Sequence, residues 1–435
     1  MGTKLNEAYR ERRERLGAAM QRGVAIVPTA AERLRNRDTH HPYRSDSYFH
    51  YLGGFPEPEA ALIIVAGDEP KSLLFCREKN LEREIWDGFR YGPDAAREVF
   101  GFDEAYPIAK LDELAVKLIA NQPVLFYPFG ADPAWDAKVM TWLNQVRAQA
   151  RAGVSAPAEI RDVRQLLDEM RLIKSSPEIA VMRQAAAIST SAHKRAMQSA
   201  RPGMMEYEIE AELLHEFRRH GAQSPAYTPI VAAGANACVL HYVQNNSRLE
   251  DGALLLIDAG CELNGYASDI TRTFPVNSRF SSPQREVYEL VLAAQDAAIA
   301  EVKTANAWDR PHAAAVKVLA QGMLDLGFLK GSLDEALEKE TYTKFYMHRT
   351  GHWLGMDVHD AGDYKRDGAW RALQPGMVLT VEPGCYIRPS EEVPEEFWNI
   401  GIRIEDDVLV TAEGREVLTV AAPKQVAEIE ALMRN

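Results

Sequence analysis

Short apolar runs separated by polar turns mark the first part of the chain. Val24 to Val27, Ala61 to Val65, Ser72 to Cys76 and Val124 to Tyr127 have the length and composition of strands, with helical stretches between them. That alternation over residues 1–172 predicts an α/β domain. A helix start follows, where Ser175 and Glu178 stand at capping-box spacing and Pro177 occupies the first turn. Ile179, Met182, Ala186 and Ile188 continue that helix, so a second domain is expected over 173–435. Its pattern predicts helices near 177–200, 205–220, 283–303 and 309–327 around several strands.

Those later strands carry acids inside apolar sequence. Asp258 ends the run that starts at Leu254, Glu382 follows Val378-Leu379-Thr380-Val381, and Glu405 follows Gly401-Ile402-Arg403-Ile404. Asn264-Gly265 is a tight-turn dipeptide between Leu254–Asp258 and the run from Tyr266 to Val276, which predicts a β-hairpin. A two-residue loop there pairs Leu263 with Tyr266 and sets Asp269 opposite Gly260. Because residues two apart share a strand face, Asp258 and Asp269 become diagonal neighbours on one side. Two carboxylates so close among Leu and Ile are costly unless cations compensate them.

Arg403 and Glu405 likewise share a face, and His348, His352 and His359 fall within one short stretch. The carboxylates of Asp258, Asp269, Glu382 and Glu405 with the imidazole of His352 make a donor set for two divalent cations, and the expected chemistry is two-metal hydrolysis. Taken singly, each residue has a plainer reading. An Asn-Gly hairpin with acids is commonly a solvated loop, and Glu405 beside Asp406 and Asp407 reads as an exposed charge run. The spacing of His348 and His352 imitates a helical zinc pair, but Gly351 and Gly355 oppose a helix and no Glu follows His348.

Composition narrows the class. At 435 residues and 46% hydrophobic content, the chain can bury two cores. A formal net charge of −13 argues against nucleic acid as a partner, since phosphate binding needs a basic face. Cys76, Cys238, Cys261 and Cys385 show no paired spacing. They predict neither a zinc site nor a disulfide framework and read as buried small hydrophobes. The amino terminus lacks an apolar export segment and no window approaches a membrane span, so no membrane partner and a cytoplasmic location are expected. Glu11 to Arg15 reads as an exposed helix.

The joint pattern carries a resemblance. His348 to Asp360 resembles the signature of the proline-peptidase branch of the pita-bread metallopeptidases, the family of aminopeptidase P and prolidase. The order Asp258, Asp269, His352, Glu382-Pro383-Gly384 and Arg403-Ile404-Glu405 is similar to that family's dinuclear ligand set. Upstream, Arg35 to Thr39 and Tyr43 to Phe55 resemble the amino-terminal domain of aminopeptidase P. The resemblance implies a creatinase-like mixed α/β domain over 1–172. Over 173–435 it implies a catalytic pita-bread domain with a curved antiparallel sheet and outer helices. The implied activity is cleavage of the bond between an N-terminal residue and a following proline, by a hydroxide bridging two divalent metals.

Manganese is the expected ion, because an oxygen-rich site with one imidazole suits it, with Co2+ or Zn2+ as substitutes. By the same resemblance Asp258 binds one metal, His352 and Glu382 sit nearer the other, Asp269 and Glu405 bridge, and Glu382 is the general base. His241, His348 and His359 would line the pocket and donate to the tetrahedral intermediate. Arg403, Tyr386 and Asp38 would form a proton-relaying network, with Asp38 supplied by the first domain. Trp86 and Arg151 would touch longer peptides across a subunit interface in a homo-oligomer, a tetramer or else a dimer.

Rival functions fit less of the sequence. A prolidase would share every metal ligand, but Asp38 and Trp86-Asp87-Gly88 favour aminopeptidase P. The long amino-terminal region and the histidine-rich stretch oppose methionine aminopeptidase. A non-catalytic peptide-binding relative typically lacks the ligands. Creatinase-like hydrolysis without metal conflicts with four acids at one centre.

Overall fold

The apolar runs of the first half form strands. In the computed structural model, which describes residues 2–434, they are β1 (Gly23–Pro28), β2 (Ala61–Ala66), β3 (Lys71–Cys76), β4 (Glu104–Pro107), β5 (Val124–Phe126) and β6 (Glu159–Arg161). Together they make one mixed sheet in the order β4-β3-β2-β1-β5-β6. Val24, Ile26, Ile63, Leu73, Phe75 and Leu125 project from it into a core closed by Leu111, Trp142 and Leu143 of two covering helices. The expectation of an exposed helix at Glu11 to Arg15 needs correction. Helix Gly2–Met20 forms, but Arg12 and Arg13 are buried, and their guanidinium groups donate to the carbonyls of Tyr51 and Leu52 at 3.0 and 2.9 Å. Fixed carbonyls without helical partners take the place of water there.

The chain divides into two units, Met1–Met170 and Arg171–Asn435. The second begins with helix Ser176–Ser199, whose capping box is present, with the Ser175 N–H donating to Glu178 across 2.9 Å. Glu206–Arg219, Ser282–Glu301 and Arg310–Asp325 follow as helices. The strands are β7 (Ser224–Pro225), β8 (Ile230–Ala233), β9 (Leu254–Asp258), β10 (Cys261–Leu263), β11 (Tyr266–Ala267), β12 (Thr271–Pro275), β13 (Lys365–Arg366) and β14 (Ala369–Trp370). They continue with β15 (Val378–Val381), β16 (Gly384–Ile387), β17 (Ile400–Arg403), β18 (Asp406–Thr411) and β19 (Gly414–Val417). The antiparallel sheet is present as short pieces, β11-β10-β7, β12-β9-β8, β15-β18-β19 and β16-β17.

The hairpin forms in the register its turn implies. Asn264 and Gly265 both take positive φ, 50° and 78°, as a type I′ turn requires. Leu263 pairs with Tyr266, and the same register continues to Asp258 opposite Thr271, which sets Asp269 opposite Gly260. The strands close tightly at that point, since a Cβ on residue 260 would lie 1.7 Å from the Ser268 carbonyl oxygen. Only glycine permits that approach.

Behind the acid-bearing strands lies a buried polar layer. Arg272 and Asp406 are fully buried and pair at 2.6 Å, while Lys424 and Gln295 each donate to the other Asp406 oxygen at 3.1 Å. Asp406 and Asp407 are therefore not part of an exposed charge run, because Arg272 and Lys424 neutralise the first from inside the fold. All four cysteines are buried and free. Among the described residues no helix is long and apolar enough to cross a membrane.

Candidate metal centre

Every proposed carboxylate ligand sits at a strand end or in a gap between strands. Asp258 ends β9, Asp269 lies between β11 and β12, Glu382 between β15 and β16, and Glu405 between β17 and β18. The strands are stitched to one another at these gaps. The Glu405 N–H donates to the Thr271 carbonyl at 3.0 Å, the Glu382 N–H to Thr350 at 2.8 Å and the Thr380 N–H to His352 at 3.0 Å. The Asp269 N–H donates to the Asp407 carboxylate at 3.2 Å. Residues far apart in sequence thereby reach one point with their side chains released from the sheet.

That point is the floor of a cavity of about 840 Å³ whose walls include all five donors, with His241, His348, His359, Tyr364 and Arg403. Donor atoms of Asp269, His352 and Glu405 all lie within 4.8 Å of one another. His352 Nε2 is 3.4 Å from Asp269 and 3.7 Å from Glu382. Tyr227 bridges the remaining acid to the group, its hydroxyl 2.5 Å from Oδ1 of Asp258 and 2.5 Å from Oδ1 of Asp269. Thr271 donates to Glu405 at 2.7 Å. Glu405 is 2% exposed, which removes the reading of it as a surface acid.

Electrostatics agree with a cation-binding role. Burial pushes Asp258 up, Glu382 up to about 7 and Glu405 well above the carboxylate range, and neighbouring acids add to the rise. Burial also opposes ionisation of Asp269, but the hydrogen bond and charge of His352 outweigh it and hold that carboxyl low. His352 moves up to about 9 because Asp269 and Glu382 together overcome its own burial. Such a set retains protons unless divalent cations replace them, and four oxygen-donor groups with one imidazole fit cations of intermediate hardness. His352 is oriented for the task, since Nδ1 donates to the Trp353 carbonyl at 3.0 Å and turns Nε2 toward the acids, where loss of its proton frees a lone pair for a cation.

Around the donors runs a hydrogen-bonded chain. Arg403 donates through Nη2 to Asp258 at 2.7 Å and through Nη1 to the Tyr386 oxygen at 3.0 Å. His348 Nδ1 donates to the Arg349 carbonyl at 2.8 Å, so its Nε2 accepts from Tyr386 at 2.8 Å. Burial, with the Arg403 charge, lowers His348 to about 3, which keeps the ring neutral for that arrangement.

The model of metallopeptidase family M24 matches residues 180–412, more than half of the chain. The chain belongs to metallopeptidase family M24. Outside the M24 match, the aminopeptidase P N-terminal domain matches residues 9–127. Xaa-Pro aminopeptidases of Haemophilus influenzae and Escherichia coli are 46% and 44% identical, each covering 98% of this chain and 97% of its own length. The structure of the Pseudomonas aeruginosa aminopeptidase PepP superimposes with a TM-score of 0.97 at 51% identity, covering 99% of this chain and 98% of its own. Escherichia coli aminopeptidase P with the inhibitor Pro-Leu gives a TM-score of 0.96 at 44% identity, covering 99% and 98%.

Within this M24 site, Asp258, Asp269, His352, Glu382, Glu405, His348, Arg403 and Tyr386 come together as described. His241 and His359 are exposed on the cavity wall, and the His359 ring stands edge-on to His352 with centroids 4.3 Å apart. Asp38, Trp86 and Arg151 belong to the first unit and are exposed, Trp86 by 83%. Sequence reasoning missed Tyr227, Thr271 and Asp407. Ala226-Tyr227-Thr228-Pro229 has no local signature, and only the folded path brings that phenol to the acids.

Proposed function

We propose that this chain is a Xaa-Pro aminopeptidase that uses two divalent cations to release the first residue of peptides with proline at position two. The observation that carries this reading is the convergence of Asp258, Asp269, His352, Glu382 and Glu405 in one cavity. Likeness to Xaa-Pro aminopeptidases over 98% of the chain supports the choice of substrate.

A peptide bond to proline has a tertiary nitrogen without N–H, and the ring restricts the residues on both sides, so a dedicated site is required. Asp258 would hold one cation, His352 and Glu382 the other, with Asp269 and Glu405 shared between them. Bound there, the pair supplies Lewis acidity for the attacking water and for the carbonyl before proline. Glu382 takes the water's proton on a carboxylate oxygen and delivers it to the proline nitrogen as the C–N bond breaks. His241 and His359 donate to the oxygen that gains charge. His348, with both ring nitrogens committed, fixes Tyr386 and through it Arg403, which orients Asp258.

Manganese is the proposed ion, with cobalt or zinc as working substitutes. Asp38 as a relay member, and Trp86 and Arg151 as contacts to longer peptides, are proposed on the family resemblance. So are a homotetramer and a cytoplasmic location. The deciding experiment is release of the N-terminal residue from Arg-Pro-Pro and from Ala-Pro by metal-stripped protein, with and without added Mn2+. Manganese-dependent cleavage that favours the tripeptide is expected. Preference for Ala-Pro would make the protein a dipeptidase, and no cleavage of either would end the peptidase reading.

A further inference from the structure

A second cavity of about 460 Å³ adjoins the metal cavity, and the two share Arg349, Gly351 and Tyr364 as wall residues. Gly351 stands in the wall that both share. Gly351 contributes no side chain, and a Cβ there would lie 2.1 Å from the Thr380 carbonyl oxygen. Thr350 is buried, its hydroxyl held between His312 Nδ1 at 2.8 Å and the Tyr346 hydroxyl at 2.7 Å.

The recess is aromatic and carries positive charge. Trp308 and Tyr364 meet with ring centroids 4.7 Å apart. Across from them Trp370 has Lys365 Nζ 4.1 Å from its ring centroid and the Arg349 guanidinium at 5.9 Å. Both cations are exposed, and Asp309 is the one acid on this wall. Among the described residues neither Arg349 nor Lys365 is paired with a carboxylate. Two cations anchored on an indole beside an apolar recess suit an apolar group that ends in an anion.

We propose that this recess binds the part of a peptide substrate that follows its proline, with an apolar side chain against Trp308 and Tyr364 and the C-terminal carboxylate on Arg349 and Lys365. The proposal rests on the aminopeptidase reading. Such a substrate carries its free ammonium on the residue before the scissile bond and its free carboxylate at the far end, so an adjoining recess that presents two cations suits the downstream residues. Short peptides with a free C-terminus are then the favoured class.

The test is isothermal titration of the metal-loaded enzyme with Pro-Phe, Pro-Phe-Phe and Pro-Phe-Phe-Phe, each as the free acid and as the C-terminal amide. None has proline at position two, so binding is read without turnover. At one of these lengths the acid is expected to bind about tenfold tighter than its amide, the scale of one charge-assisted hydrogen bond. Arg349→Ala, at an exposed position, should erase that gap, and Trp370→Ala should narrow it by removing the ring under both cations. Equal binding of acid and amide at all three lengths overturns the proposal, as does a gap that survives Arg349→Ala. Failure to cleave both Arg-Pro-Pro and Ala-Pro would strike the peptidase reading instead, because these titrations require no catalysis.

Discussion

Tyr227 holds its hydroxyl 2.5 Å from Oδ1 of Asp258, while the same hydroxyl stands 2.5 Å from Oδ1 of Asp269. One phenolic hydrogen is thus shared by two carboxylates whose diagonal placement comes from the hairpin register. Burial and the adjoining acids raise the phenol well above its ordinary range, so it stays a donor at all working pH values. Its contribution is to orient the two acids before cations arrive. Tyr227→Phe should therefore weaken divalent-metal binding by about tenfold, within the usual 10–100-fold cost of losing a group that positions a ligand. Calorimetric titration of metal-stripped protein with Mn2+ measures it, and unchanged affinity would remove Tyr227 from that role.

Glu382 carries two duties in the proposed chemistry, metal ligand and proton carrier, and they separate experimentally. Glu382→Gln keeps an oxygen donor but cannot accept the proton. A loss in kcat of about 10²–10⁴-fold is expected, the range for a positioned acid–base group. Binding of a product-type peptide such as Pro-Phe should change little. A kcat within a few-fold of the parent would transfer the proton role to another group.

The hairpin was legible in the sequence because its information is local. Asn264-Gly265 specifies a turn, the turn fixes the register, and the register puts Asp258 and Asp269 on one face. The remaining donors were legible as acids interrupting apolar strands and through the resemblance they jointly support. Contacts set by the tertiary path were not. Arg272 gives no sign in its own strand that it will neutralise Asp406, and Arg12 and Arg13 resemble any surface cations until carbonyls of the Tyr51–Leu52 turn are placed above them. Asp406 and Asp407 look like a solvated run for the same reason.

Asp360 fastens the histidine-bearing loop. Its carboxylate accepts from Lys174 at 2.8 Å and from Arg171 at 2.6 Å, all three side chains being 1% exposed. Its N–H donates to the Trp353 carbonyl at 2.9 Å, the oxygen that also takes the His352 Nδ1 hydrogen. Asp360→Asn leaves the buried Lys174 ammonium without its carboxylate, a change that typically costs about 3–5 kcal/mol. Urea denaturation should show a loss of that order, together with weaker Mn2+ binding as His352 loses its fixed orientation. A loss below about 1 kcal/mol would mean that the pair is replaceable.

His193 supplies a pH dependence separable from the metal site. The ring is fully buried, its Nε2 donates to the Ala259 carbonyl at 2.9 Å, and burial lowers its pKa to about 4. In the unfolded chain the same imidazole titrates near 6.5. Between those values the unfolded state binds more protons than the folded state, so stability falls as pH drops through this window. The contribution is complete above about pH 6.5 and, once pH reaches about 4, has fallen by roughly 3 kcal/mol. Gln in its place can still donate to Ala259 but takes up no proton. His193→Gln should therefore lose about 2 kcal/mol less than the parent between pH 6.5 and 4.5, read as the difference of urea midpoints at matched metal loading. Protonation of the ligand carboxylates affects both proteins alike and cancels in that difference. Parallel curves would show that His193 accepts its proton inside the fold, contrary to its enclosure beneath Ala259.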